Sequence, residues 1–76
     1  MNELCEKIFG ILKTELSEIS ARSMVDHFTR KIGKDPTNLA IADLPAFSMA
    51  ILESIYLFSD AAKAQRISQG MKSLIT

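Results

Sequence analysis

The sequence predicts an all-α fold, a compact four-helix domain that occupies residues 1–76 as a single unit. Apolar residues recur at spacings of three and four along almost the whole chain, which is the period of helices with one buried face. A chain of this length has room for one domain only. Cap and turn residues then divide the periodic pattern into helices at about 2–16, 20–33, 43–58 and 60–75.

The first helix, at 2–16, begins at Asn2, whose side chain can accept a hydrogen bond from an otherwise unpaired first-turn amide. Its apolar stripe comprises Leu4, Cys5, Ile8, Phe9, Ile11, Leu12, Leu16 and Ile19. Ser17 and Ser20 are both candidate N-caps for the next helix. A short break at this point is therefore favoured over one continuous helix, which remains the alternative.

The second helix, at 20–33, has an apolar stripe that contains Ala21, Met24, Val25, Phe28 and Ile32. Gly33 is the expected stop, because glycine accepts the left-handed conformation of a helix C-cap. Asp35 and Pro36 then form a turn, since proline presets the backbone angle of the second turn position. Leu39 and Ile41 are expected to point inward and anchor the connection to the third helix.

The third and fourth helices are expected at 43–58 and 60–75, separated by a tight corner. Pro45 is tolerated because the first-turn amides of a helix lack partners within it. Ser59 supplies an N-cap and Asp60 a first-turn acid for the fourth helix. The inward residues of this helix are Ala64, Ile67, Met71, Leu74 and Ile75. Gly70 costs about 1 kcal/mol relative to alanine inside a helix, a cost that close approach of another helix would explain.

The third helix carries more apolar surface than one buried stripe requires. Its core stripe comprises Leu44, Phe47, Ile51, Ile55 and Phe58. Met49, Leu52 and Tyr56 lie on the opposite side, and a helix that is apolar nearly all round is usually buried. Three amphipathic neighbours can hardly enclose every side of it, although a central position in the domain would do so. The candidate interface is therefore Met49, Leu52, Glu53 and Tyr56.

Charge and composition disfavour several classes of function. Nine basic residues balance nine acidic ones, so the chain has no net field to attract phosphates, and nucleic acid is an unlikely partner. A small dimeric nucleic-acid-binding regulator is the alternative, in which Arg22, Arg30, Lys31 and Lys34 would meet on one face. No apolar run approaches the roughly 20 residues of a membrane span, and we expect no membrane partner.

The sequence contains no catalytic, metal-binding or cofactor-binding pattern, so we expect no enzyme activity, metal or cofactor. Cys5 is the single cysteine, which precludes an intrachain disulfide, and it lies within an apolar stripe as core cysteines do. A lone thiol and the absence of an export signal favour the cytoplasm. His27, the single histidine, leaves one less favoured alternative, a phosphorelay component.

The order of turns from Ala21 onward resembles a short helical module that occurs alone or attached to signalling and regulatory proteins of bacteria and archaea. The resemblance is carried by five segments in order, KIG, DPTNL, ADLP, LF and AAKA. It covers about 50 residues and implies a compact α-domain that acts in association or regulation. It transfers no catalytic residue to this chain.

Together these features predict a non-catalytic cytoplasmic interaction or regulatory module. The surplus apolar face of the third helix is the expected contact surface, with help from the first or fourth helix. The expected partner is a second copy of the chain, as a homodimer, or another protein.

Overall fold

The computed structural model of the protein describes residues 1–58 and 60–74, without the side chain of Phe58. The described residues form four α-helices, which confirms the all-α four-helix prediction. They are α1 at Glu3–Lys13, α2 at Glu18–Lys31, α3 at Leu44–Phe58 and α4 at Ala61–Lys72, with a 3-10 turn at Ile41–Asp43.

The junction between α1 and α2 is a break, as favoured from the sequence, but α1 ends at Lys13 and not at residue 16. Ser17 adopts an extended backbone and its hydroxyl accepts a hydrogen bond from the Ser20 amide at 3.1 Å, which makes it the N-cap of α2. Because Ser17 has to be extended, the chain leaves the α1 helix just before it. The α1 helix therefore closes with a tighter turn, in which the Thr14 amide donates to the Ile11 carbonyl at 3.2 Å.

The break also explains why the predicted inward position of Ile19 is wrong. Ile19 is 82 % exposed. Once α2 begins at Glu18, Ile19 belongs to the first turn of α2 and no longer extends the stripe of α1. At about 100° per residue it lies on the opposite side of α2 from the buried Ala21 and Val25.

The connection from α2 to α3 begins at Gly33, whose φ of 83° is the left-handed conformation expected for the C-cap. Asp35 and Asn38 then close a turn around Pro36, because the Asn38 amide donates to the Asp35 carbonyl at 3.2 Å. Leu39 is buried as predicted, at 3 % exposure. The inward prediction for Ile41 is wrong, since this residue is 59 % exposed. Ile41 opens the 3-10 turn, and this turn directs its side chain outward.

Asn2 holds the α2–α3 connection against the start of α1. Its side-chain oxygen accepts from the Cys5 amide at 2.9 Å, which confirms the predicted N-cap. Its side-chain nitrogen donates to the Leu39 carbonyl at 2.9 Å, and its backbone amide donates to the Pro36 carbonyl at 2.7 Å. One residue therefore caps a helix and fixes a distant irregular segment at the same time.

The four helices form a ring around one apolar core. The α1 helix packs against α2 and α4, and α3 packs against the same two helices. The core residues among those described come from every helix and from the α2–α3 connection: Cys5, Ile8, Leu12, Ala21, Val25, Phe28, Leu39, Leu44, Phe47, Ile51, Ile55, Ala64, Ile67 and Met71. The α3 helix is thus one side of a ring with an outer face, and not a central helix enclosed by the other three.

Two details of burial and capping differ from the sequence prediction. Thr29 is fully buried and satisfies its hydroxyl by donating to the Val25 carbonyl at 2.7 Å, a position that the apolar stripe alone did not include. Asp60, rather than a serine, is the N-cap of α4, because its carboxylate accepts from the Lys63 amide at 2.7 Å. The predictions for Ser59 and Ile75 lie outside the described residues, as does the core position of the Phe58 side chain.

Gly70 lies where α4 approaches α1 closely, and it offers a test with Gly10 as its matched control. A Cβ atom added at Gly70 would lie 2.8 Å from Cγ2 of Ile11, whereas one added at Gly10 would meet nothing within 4 Å. We expect Gly10→Ala to stabilise the protein by about 0.5–1 kcal/mol, the usual gain from replacing a helical glycine. Overpacking costs about 1–3 kcal/mol and outweighs that gain at Gly70, so Gly70→Ala should destabilise by about 1 kcal/mol.

Urea unfolding followed by circular dichroism measures both changes. The two variants should move the transition midpoint in opposite directions with the same slope. Equal stabilisation by both substitutions would contradict a close approach of α1 and α4 at this point.

Candidate interaction face

Exposed apolar residues are concentrated on α3. Among the described residues six large hydrophobic side chains are exposed, and three of these belong to this one helix. Met49 is 71 % exposed, Tyr56 56 % and Leu57 75 %. Because isolated exposed hydrophobic residues are normal but clusters are rare, the outer side of α3 is the surface of interest.

A groove between α3 and α4 brings the four predicted interface residues together. It encloses about 540 Å³. Its lining consists of Pro45, Ser48, Met49, Leu52, Glu53, Tyr56, Ser68, Met71 and Lys72. We call the part of this lining that lies on α3, namely Pro45, Ser48, Met49, Leu52, Glu53 and Tyr56, the α3 face.

The sequence named the first or fourth helix as a contributor to the contact, but it did not identify the residues of the α4 wall. Met71 was assigned to the core, and it is indeed buried, but it also forms part of the groove lining. The signal that could have revealed this wall is the short α3–α4 junction, since helices joined by a few residues commonly pack as neighbours.

The groove is lined mainly by apolar side chains. Small-molecule sites combine an apolar pocket with several convergent polar groups that fix the ligand. Here the polar groups of the lining are two serines, one acid and one lysine, and Glu53 takes no part in the five ion pairs found among the described residues. The groove can therefore bury apolar side chains of another protein.

A second, smaller cleft lies on the other side of α3, against α2. It encloses about 350 Å³ and its lining includes His27, Phe28, Ala50 and Leu57. His27 is exposed, and its ring meets the Phe28 ring in an edge-to-face contact, with the ring centroids 4.9 Å apart. This contact is a structural role for the histidine, and its use in phosphorelay stays a prediction.

The four cations considered for nucleic-acid binding each interact within the chain. Arg22 and Lys31 lie over aromatic rings, 5.0 and 5.8 Å from the ring centroids. Arg30 and Lys34 lie next to carboxylates, at N–O distances of 3.0 and 3.9 Å. Each of these cations already has a partner within the chain, so the geometry adds no support to the nucleic-acid alternative.

Cys5 is fully buried within the core, where its removal from water raises the pKa of the thiol above its ordinary value. A reactive cysteine needs the opposite shift, because the thiolate is the nucleophile. Within the described residues no group of three or more histidine, cysteine, aspartate or glutamate side chains is placed to hold a metal ion.

Comparison of the chain with protein-family models, with curated proteins and with solved structures gives no match. In the part of the chain that the structure describes, none of the helices has both the length and the apolar character needed to cross a membrane.

Proposed function

We propose that the protein is a non-catalytic interaction module that forms a homodimer through the α3 face. The observation that carries this proposal is the exposure of Met49 and Tyr56 beside Leu52 in a groove lined mainly by apolar side chains. Burying apolar surface is favourable by about 25 cal/mol per Å². This gain is non-directional, so the shape of the partner determines which surfaces fit together. A regulatory role, as the resemblance implies, and a cytoplasmic location belong to the same proposal.

A second copy of the chain is a partner that suits this surface. The formal net charge is zero, so two copies carry no overall repulsion toward one another. A domain of 76 residues buries a modest share of its unfolded surface, so association is a common source of additional stability. A standard interface of about 800 Å² per partner would take about a sixth of the 4581 Å² surface described for the chain.

Sedimentation equilibrium over a concentration series tests this proposal. The wild-type chain should dimerise reversibly at tens of micromolar or below. Met49→Asp places a charge on the α3 face and should weaken the dimer by about 100-fold, which corresponds to about 2.7 kcal/mol and lies in the range of interface hot spots. Met49 is exposed in the single chain, so the variant should keep its helical circular dichroism spectrum.

Ile19→Asp is the matched control, because it makes the same kind of substitution at an exposed apolar residue of another helix. It should dimerise as the wild type does. A wild-type chain that stays monomeric at several hundred micromolar would overturn the proposal, and so would a Met49→Asp variant that dimerises with unchanged affinity.

A further inference from the structure

We infer that the two copies pack their α3 helices antiparallel, around a two-fold axis that passes between Met49 and Leu52. The inference rests on the proposed homodimer and adds its orientation and the side chains that meet across it. It follows from the spacing of the α3 face, from the sizes of its side chains and from the charge distribution along α3.

The apolar part of the α3 face has the spacing of a helix–helix seam. Pro45, Met49, Leu52 and Tyr56 recur at steps of four, three and four residues. Alternating steps of three and four are the a/d pattern by which two helices interlock along a shared line. The four residues span the helix from its first turn to its last, so the seam extends along most of α3.

An antiparallel two-fold pairs these residues by complementary size. Met49 lies as far before the axis as Leu52 lies after it, so each Met49 packs beside Leu52 of the partner subunit. Pro45 and Tyr56 are equally distant from the axis on either side, so the small ring of Pro45 meets the partner's Tyr56. Tyr56 then faces the smaller Pro45 at each end of the seam, while Met49 and Leu52, which are similar in size, meet at its centre. The separation of the two helices therefore stays constant along the seam.

A parallel pair would place each residue against its own copy. Tyr56 would meet Tyr56 of the partner subunit at one end, and Pro45 would meet the partner's Pro45 at the other. The helices would be forced apart at the tyrosines and left underpacked at the prolines, which loses the dispersion contacts of a close interface. The antiparallel arrangement avoids both.

The charge distribution along α3 favours the same orientation. The first turn of α3 contains no acidic residue and its last turn no basic residue, and the carboxylate of Asp43 just before the helix lies next to the Lys34 ammonium. Antiparallel packing places the partially positive N-terminal end of one α3 beside the partially negative C-terminal end of the other. An isologous two-fold contact of this kind also closes on itself and ends assembly at two copies.

Disulfide trapping between two variants, each with one added cysteine, tests the orientation. Met49→Cys and Leu52→Cys are prepared separately, one with a mass tag, then mixed and oxidised under mild conditions. In the antiparallel dimer the two new thiols lie opposite one another between unlike chains, whereas those of like chains are offset by about 4.5 Å along the helix axis. The mixed product should therefore form in several-fold excess over either homodimer. Cys5 stays in both variants, because a fully buried thiol cannot reach another chain without unfolding.

Pro45→Cys with Tyr56→Cys provides a second pair, placed at the ends of the seam, and should also give mainly the mixed product. Homodimer disulfides of Met49→Cys and of Leu52→Cys in excess would indicate parallel helices and overturn the inference, while the proposed homodimer would stand. A dimer in sedimentation that gives no trapped product with either pair would also overturn the orientation. A wild-type chain that never dimerises would overturn the proposed function itself.

Discussion

Replacement of Phe47 by alanine is expected to lower the free energy of unfolding by about 3–5 kcal/mol, the usual cost of removing a buried phenyl ring. Phe47 is completely buried and is the largest of the fully buried side chains among the described residues. A domain of 76 residues has a total stability of about 4–11 kcal/mol. The substitution should therefore remove a large part of that stability, and urea unfolding at low protein concentration measures it.

Met49→Ala is the matched control, because it truncates a neighbour on the same helix that faces outward. Its effect on the unfolding of the single chain should stay within about 0.5 kcal/mol, as for most exposed positions. It should instead weaken association. A similar loss of stability from both substitutions would contradict the assignment of one residue to the core and the other to the outer face of α3. Should Phe47→Ala fail to fold, Phe47→Leu replaces it, with a smaller expected cost of about 1–2 kcal/mol. Its free energy of unfolding can then be compared with that of Met49→Ala.

Asn2→Ala is expected to destabilise the protein by about 2 kcal/mol. The loss combines an N-cap contribution of about 1 kcal/mol with a net contribution of about 0.5–1.5 kcal/mol from the hydrogen bond to the Leu39 carbonyl. Both hydrogen bonds are 2.9 Å long and they belong to the two ends of one side-chain amide. Thermal or urea unfolding of the variant measures the sum.

Asn2→Asp separates the two parts. A carboxylate still accepts from the Cys5 amide, but it cannot donate to the Leu39 carbonyl. We therefore expect a smaller loss, of about 1 kcal/mol, above the pH at which the new carboxyl ionises. If Asn2→Asp is as stable as the wild type, the hydrogen bond to the Leu39 carbonyl contributes nothing to stability. If it is as unstable as Asn2→Ala, the N-cap hydrogen bond to the Cys5 amide contributes nothing.

The helices and most of the core were predictable because both depend on local pattern. The Asn2 cap, the Gly33 stop and the break at Ser17, one of two candidate caps, all act over fewer than five residues and were found in the structure. The bounds were less exact, since α1 ends at Lys13 instead of residue 16 and α2 begins at Glu18 instead of residue 20. Ile19 was misplaced for a reason that is also local. A helix break that shifts the start of α2 changes which side of a helix the following residues occupy.

The interaction face was predictable in part. The surplus apolar residues of α3 follow from a helical wheel, but their exposure depends on where the other helices lie. Leu52 is half-buried while Met49 is exposed, although both were assigned to the same face. That difference arises because α4 packs beside α3 and covers one edge of the face. Ile41 illustrates the same limit, since its outward position is set by a 3-10 turn that periodicity does not reveal.

The ring of helices has a consequence for the order of folding. Helices that are consecutive in the chain are also neighbours in space, so most of the packing can form by closing short loops, which is a topology associated with rapid folding. The α1–α4 interface is different, because it joins the two ends of the ring and requires the longest loop closure. If it forms after the folding barrier is crossed, Ile11 and Gly70, which meet there, govern how fast the ring opens more than how fast it assembles.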